Sequence, residues 1–269
     1  MSLVTNFNED SAKGFLELAS NQRLNILSSI SNKPSKPSIM SKELDVTIQE
    51  VSRNFDRLVK AGLLVKNSEG YHHLSTFGKI TCMQIPSLVF LSQNRHYFEK
   101  HSLDDIPLKF KQRIGSLVQG EYIKGFIKVQ ERWKKIYENS NDYTYNVLSE
   151  LPLSIIKLAI NNASFNIQIK NVFGENMIIP ENRTKILQTK EFKNLLQNGN
   201  IDRRMKKEIN VNIVLNEKEA IVSFPTLEGE TDLSQAFVSD DIIFHEWCLD
   251  LFRYFWYESN PFNESKLYS

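Results

Sequence analysis

Residues 47–62, TIQEVSRNFDRLVKAG, constrain the chain most. Thr47 with Glu50 three residues on has the form of a capping box, and Gly62 supplies a C-terminal stop, so about four turns of helix are specified at both ends. At roughly 100° per residue, Ile48, Val51, Phe55, Leu58 and Val59 fall on one arc, while Gln49, Arg53, Arg57 and Lys60 fall on the opposite one. The first arc is expected to be core and the second to face outward. The segment before it, with Ile39, Met40 and Leu44, reads as another helix, and only Asp45-Val46 separate the two, the spacing of a helix-turn-helix. Leu63-Leu64-Val65, the turn Asn67-Ser68-Glu69-Gly70 and residues 71–75 then predict a hairpin, hence a wing. The expected fold is an α+β winged helix-turn-helix whose second helix enters the major groove of double-stranded DNA.

That placement nominates side chains. Gln49, Ser52 and Arg53 occupy the groove-entering end, where glutamine pairs with adenine and arginine with guanine. Thr47 caps the helix and also meets the DNA backbone there. Arg57 and Lys60 lie further along the same arc as phosphate contacts, with Asp56 working against them. His72 and His73 are neighbours on a strand and point to opposite faces, so one reaches phosphate from the wing and the other packs or is solvated. Lys33 and Lys36, in the two-proline loop 32–37, are either phosphate contacts or solvated.

With 269 residues, 41% of them hydrophobic and 24% charged, the chain is long enough for two globular domains. It has no apolar run of membrane-spanning length, and its start is polar and acidic, so a cytoplasmic protein without membrane contact is expected. Cys82 and Cys248 lie too far apart in sequence for a disulfide framework or a thiolate zinc site and read as buried apolar residues. The net charge of +1 hides a gradient: residues 1–135 carry 20 Lys and Arg against 13 Asp and Glu, and residues 216–269 carry 3 against 11. The basic end holds the winged helix, as phosphate binding needs, although residues 1–80 alone hold 10 against 8.

In chain order, residues 1–13 read as a loose tail and residues 15–30 as one helix. Residues 76–101 form one apolar helix kinked at Pro86, or two short ones, too apolar for a small winged domain to cover and so suited to a domain connection or a dimer interface. Residues 103–107 break the chain and cap a helix through Leu117. Beyond it, helices at 127–137, 153–163 and 182–197 alternate with strands at 143–148, 165–172, 203–209, 211–215 and 220–225, predicting an α/β effector domain.

The run Arg95-His96-Tyr97-Phe98-Glu99-Lys100-His101-Ser102-Leu103-Asp104-Asp105-Ile106-Pro107, followed by Phe110, Arg113, Ile114, Gly115 and Leu117, resembles the opening of the effector domain in archaeal regulators of the methanogenesis regulatory protein (FilR) type. The stretch Phe244-His245-Glu246-Trp247-Cys248-Leu249-Asp250-Leu251-Phe252-Arg253-Tyr254-Phe255-Trp256 is similar to that family's ending. The resemblance implies an archaeal transcription factor with an arsenic-repressor-like winged helix. Related sugar-responsive regulators carry a phospholipase-D-like α/β domain, with which the element order is compatible. The His-x-Lys-x4-Asp motif of that fold's enzymes is missing, since no histidine has a lysine two positions on.

Other chemistry has no better support. There is no glycine-rich phosphate loop, no Gly-x-Ser-x-Gly and no His-Glu-x-x-His, so no catalytic residue, metal or cofactor is expected. The expected domains are 1–80, the winged helix; 81–118, connecting or dimerisation helices; and 119–269, the effector domain. The expected function is a homodimeric transcriptional regulator that reads a roughly palindromic site and is modulated by a small-molecule effector or a partner, with Tyr122, Trp133, Tyr145, Phe173 and Trp247 either lining the effector pocket or, the simpler reading for each, packing in the core. The alternative is a winged-helix protein-interaction module that does not read DNA.

Overall fold

The computed structural model describes residues 9–149, 152–175, 185, 186 and 188–263, and the chain divides into two units, Met1–Pro86 and Ser87–Ser269. The first unit opens with α1 (Glu9–Leu18) and α2 (Asn21–Asn32) in place of a tail and a single helix; residues 1–8 of the expected tail lie outside the described residues. The interruption falls at Ala19-Ser20, where Ser20 is extended with φ −138°. Buried Arg23 fastens the end of α1, donating to the carbonyls of Glu17 and Leu16, each at 2.8 Å. Those are carbonyls that a helix end leaves without partners, so a polar segment gains a terminus it does not specify locally.

Helix α3 (Pro37–Leu44) starts with Pro37 in its first turn, where a fixed φ and a missing N–H cost nothing. Asp45, left-handed at φ 52°, turns the chain into α4 (Ile48–Lys60). The Glu50 amide donates to the Thr47 side chain at 3.3 Å, and Gly62, at φ 75°, follows the helix end. The capping box is not closed as the sequence suggested: the Glu50 carboxylate accepts from Gln22 Nε2 at 2.7 Å instead. Val51, Phe55 and Leu58 pack with Ile26, Leu27, Ile30 and Met40 in one cluster. Ile48 and Val59, expected in that arc, are 54% and 37% exposed. Two short neighbouring helices cover only the i, i+4, i+7 line of α4, so the buried stripe is narrower than the apolar one.

Strands β1 (Leu64–Lys66) and β2 (His72–Leu74) pair antiparallel with Leu64 opposite Leu74. Their turn is built by Asn67, whose Oδ1 accepts the amides of Glu69 at 3.1 Å and Tyr71 at 2.8 Å, and by Gly70 at φ 84°. Ser35 and His72 exchange backbone hydrogen bonds of 3.1 and 2.8 Å, so the two-proline loop is pinned to the free edge of the wing. Helix α5 (Thr76–Cys82) passes close behind β1. A Cβ on Gly78 would stand 2.0 Å from the Leu63 carbonyl oxygen, which requires glycine there.

Residues 76–101, expected as one kinked helix or two short ones, form three helices: α5, α6 (Ile85–Gln93) and α7 (Arg95–Phe98). Pro86 lies in the first turn of α6, so it begins a helix rather than bending one. The predicted helix through Leu117 is likewise split into α8 (Leu108–Lys111) and a 3₁₀ turn, Ile114–Leu117. Then follow β3 (Glu121–Lys124), α9 (Phe126–Glu138), β4 (Tyr143–Leu148), α10 (Leu153–Ser164), β5 (Gln168–Gly174), α11 (Lys190–Gln197), β6 (Ile201–Lys206), β7 (Asn212–Asn216), β8 (Ala220–Ser223), β9 (Gln235–Ser239), α12 (Ile242–Tyr257) and β10 (Asn260–Pro261). Of the helix expected at 182–197, residues 182–184 and 187 lie outside the described residues.

These strands form one sheet in the order β10-β6-β5-β4-β7-β8-β9-β3. Only β4-β5-β6 run parallel, with α10 and α11 between them in sequence; every other pair is antiparallel. The expected α/β alternation therefore accounts for one part of a mixed sheet, and the turn at 216–219 begins an antiparallel run. Side chains alternate between two clusters: Ile213 and Leu215 of β7 join Phe90, Tyr97, Phe110, Trp247 and Phe252, while Val214 joins Val129, Trp133, Ile155 and Phe192. Residues 87–118, read from sequence as part of a connecting segment, thus supply Phe90, Tyr97, Ile106, Phe110, Ile114 and Leu117 to the second unit's core.

Candidate nucleic-acid interface

Helix α4 is held by polar contacts along one flank, the i, i+4, i+7 line of Glu50, Asn54 and Arg57. Asn54 Nδ2 donates to Gln22 Oε1 at 2.7 Å, and Gln22 in turn donates to Glu50, so one α2 side chain grips two successive turns of α4. One turn further along the same flank Arg57 donates to both oxygens of Glu17, at 3.1 and 2.7 Å, and Glu17 also meets Arg23 at 3.1 Å. The Arg57 hydrogen bond, countered in part by burial and helped by the charge of Arg23, holds the Glu17 carboxyl below the usual carboxylate range. Sequence reasoning missed Gln22 and Glu17 because both act across long stretches of chain, which periodicity does not report.

Beside that flank Thr47, Gln49, Arg53 and Lys60 remain exposed and Ser52 is half-buried. Among the described residues no ion pair engages Arg53 or Lys60. Gln49 and Arg53 are four residues apart and so stack one turn above the other, an amide and a guanidinium aimed the same way. Glutamine and arginine carry the kinds of donor and acceptor that base edges pair with, and Lys60 adds a cation at the far end. Arg57, placed by sequence among the outward contacts, is already committed to Glu17.

The wing separates its two histidines. His73 is exposed, whereas His72 is 4% exposed with its ring edge-on to Phe55 at 4.7 Å. His72 is therefore not a DNA contact: its strand position turns it onto the core side of the hairpin, and His73 is the one that faces out. Burial lowers the His72 imidazole below the ordinary histidine range, with Lys66 adding to the shift and Asp56 opposing it. Of the loop lysines, Lys33 pairs with Glu43 at 3.4 Å, and the Lys36 ammonium lies 4.3 Å from the centre of the Tyr71 ring.

The aromatic residues nominated for a ligand pocket fare differently. Trp133, Phe173 and Trp247 are 1%, 4% and 0% exposed and belong to the two cores, so they are corrected to packing residues. Tyr145 stacks between Tyr143 and Phe252, at 4.2 and 4.8 Å between ring centres, and is likewise a packing residue. Tyr122, by contrast, lines a cleft among the described residues. Among the described residues no cluster of three or more His, Cys, Asp or Glu is arranged to hold a metal, and no helix is long and apolar enough to cross a membrane.

No protein-family model matches the sequence, and no curated protein matches it. Solved structures with some likeness include TrmBL2, an archaeal chromatin protein, at 10% identity and a TM-score of 0.41 over 95% of this chain and 100% of that one. Another is Nuc, a phospholipase D family member from Salmonella typhimurium, at 11% identity and a TM-score of 0.41 over 54% of this chain and 100% of that one. IdeR from T. acidophilum gives 13% identity and a TM-score of 0.20 over 88% and 100%. Likenesses this distant carry no argument about what the chain binds.

Proposed function

We propose that the chain is a DNA-binding transcriptional regulator whose α4 reads the major groove while the wing, through His73, meets the backbone. The observation that carries this reading is the open face of α4: Gln49, Arg53 and Lys60 point outward on a helix held along one flank by Gln22 and Glu17. A second copy would supply a second recognition helix and match a roughly palindromic site, in the manner of the archaeal FilR-type regulators that the sequence resembles. The second unit, Ser87–Ser269, is assigned the effector role, with no catalytic step. Selection of tight binders from a pool of random duplexes tests the reading, because it expects an enriched sequence with two half-sites and loss of the enrichment in Arg53→Ala. An unenriched pool would overturn it.

One observation favours the alternative, a protein-docking module. Phe77, Ile80 and Met83 of α5 and the residue after it are 58%, 58% and 74% exposed, and the first unit is nearly neutral. On that reading Phe77→Ser with Ile80→Ser abolishes a partner complex that Arg53→Ala leaves intact.

A further inference from the structure

A cleft of about 530 Å³ opens at the β3 edge of the large sheet, between α7 and the β3–β9 pair, within the size range of small-molecule sites. Its walls are held by a chain of hydrogen bonds. The Tyr122 hydroxyl donates to Gln235 Oε1, Gln235 Nε2 donates to Asp232 at 2.9 Å, and the same carboxylate oxygen lies 2.8 Å from Nε2 of buried His101. His101 Nδ1 lies 2.8 Å from the Tyr97 carbonyl, and its ring stacks on Tyr97 at 3.7 Å, which ties the chain to α7. Tyr122 and Gln235 therefore have fixed orientations before any ligand arrives, which lowers the cost of binding one.

The charge on the lining is one-sided. Its single carboxylate, Glu99, is already met by Arg95 at 3.1 Å and His96 at 3.0 Å. Lys100 and Lys124, from opposite walls, have no ion pair among the described residues. The Tyr122 ring lines the same cleft, 40% exposed and supported edge-on by Tyr97 at 5.9 Å. We infer that this cleft binds a small organic anion, a carboxylate or a phosphate ester, with its charged group between Lys100 and Lys124 and its carbon skeleton on Tyr122. Two cations facing one space select negative charge, and a preset aromatic wall selects an organic ligand over a bare ion.

The inference deepens the proposed function by giving its effector a site and a chemical class. Its test uses no DNA, so the two fail separately. Benzoate, glucose 6-phosphate and inorganic phosphate, with benzamide and glucose as uncharged counterparts, are titrated at constant ionic strength into the ¹⁵N-labelled full chain. The expected result is saturable amide shifts confined to residues 93–100, 122–124 and 235 for benzoate or glucose 6-phosphate, identifying a carboxylate or a phosphate ester respectively. The double variant Lys100→Ala, Lys124→Ala weakens that binding by about tenfold, and Lys100→Arg with Lys124→Arg retains it. Shifts that are absent or spread over the surface, that are as strong for the uncharged counterparts or for inorganic phosphate, or that are indifferent to the alanine variant would overturn the inference.

Discussion

Helices α4 and α12 carry their information in opposite ways. α12 is apolar around most of its circumference, and Phe244, Trp247, Phe252 and Phe255 disappear into the sheet's core, with the Trp247 indole donating to the Phe110 carbonyl at 3.2 Å. α4 buries one narrow line and leaves a polar face open. A dense aromatic helix thus reports the core it completes, whereas a short capped helix with cations on one arc reports a surface left for something else.

The contrast breaks most visibly at Trp247. Trp247→Ala is expected to cost about 3–5 kcal/mol in denaturant unfolding of the second unit, because a large cavity opens with no side chain to fill it. A loss below about 1 kcal/mol would return Trp247 to the ligand-lining role that its sequence position suggested.

The two wing histidines give the next largest effect. The folded first unit keeps His72 below its unfolded value, so the unfolded chain takes up the proton first as pH falls. The stability linked to His72 is therefore fully present above about pH 6.5, the ordinary histidine value, and is lost as pH drops through it toward the lowered one. Protection factors of the Phe55 and Leu58 amides, corrected for the intrinsic exchange rate at each pH, should fall across that window, and His72→Phe should flatten the response while keeping an edge-on ring against Phe55. A flat profile in the parent chain would contradict the burial of His72.

Freeing Arg57 sharpens the comparison on α4 itself. Glu17→Gln removes the carboxylate that holds Arg57 and leaves one more cation on the open face, so the slope of log affinity for DNA against log salt should steepen by about one. No change in slope would place Arg57 away from the phosphates even when released. The smallest effect is at the exposed wing position: His73→Ala should alter stability by no more than about 0.5 kcal/mol.

Local chemistry made α4, its Thr47 cap, the Gly62 stop and the wing turn legible, since each is specified by residues within a few positions. Contacts from a distance decided the rest. α1 is anchored through Arg23 and through the Glu17–Arg57 pair, which no periodicity announces. β3 escaped notice because three of its four residues are exposed and it alternates weakly. Tyrosine or tryptophan near a strand end looks the same in sequence whether it lines a cleft, as Tyr122 does, or fills a core, as Trp133 does. The Tyr122–Gln235–Asp232–His101 chain joins residues more than a hundred positions apart and had no local signal.

The central claim, that the open face of α4 reads DNA, is tested most directly by fluorescence-anisotropy titration of the full chain against duplex DNA at two salt concentrations, beside Arg53→Ala. The expected result is binding that weakens steeply between about 50 and 200 mM salt and falls by about tenfold in the variant. Absence of duplex binding at low salt, or equal binding by Arg53→Ala, would contradict it and turn attention to a protein partner on α5.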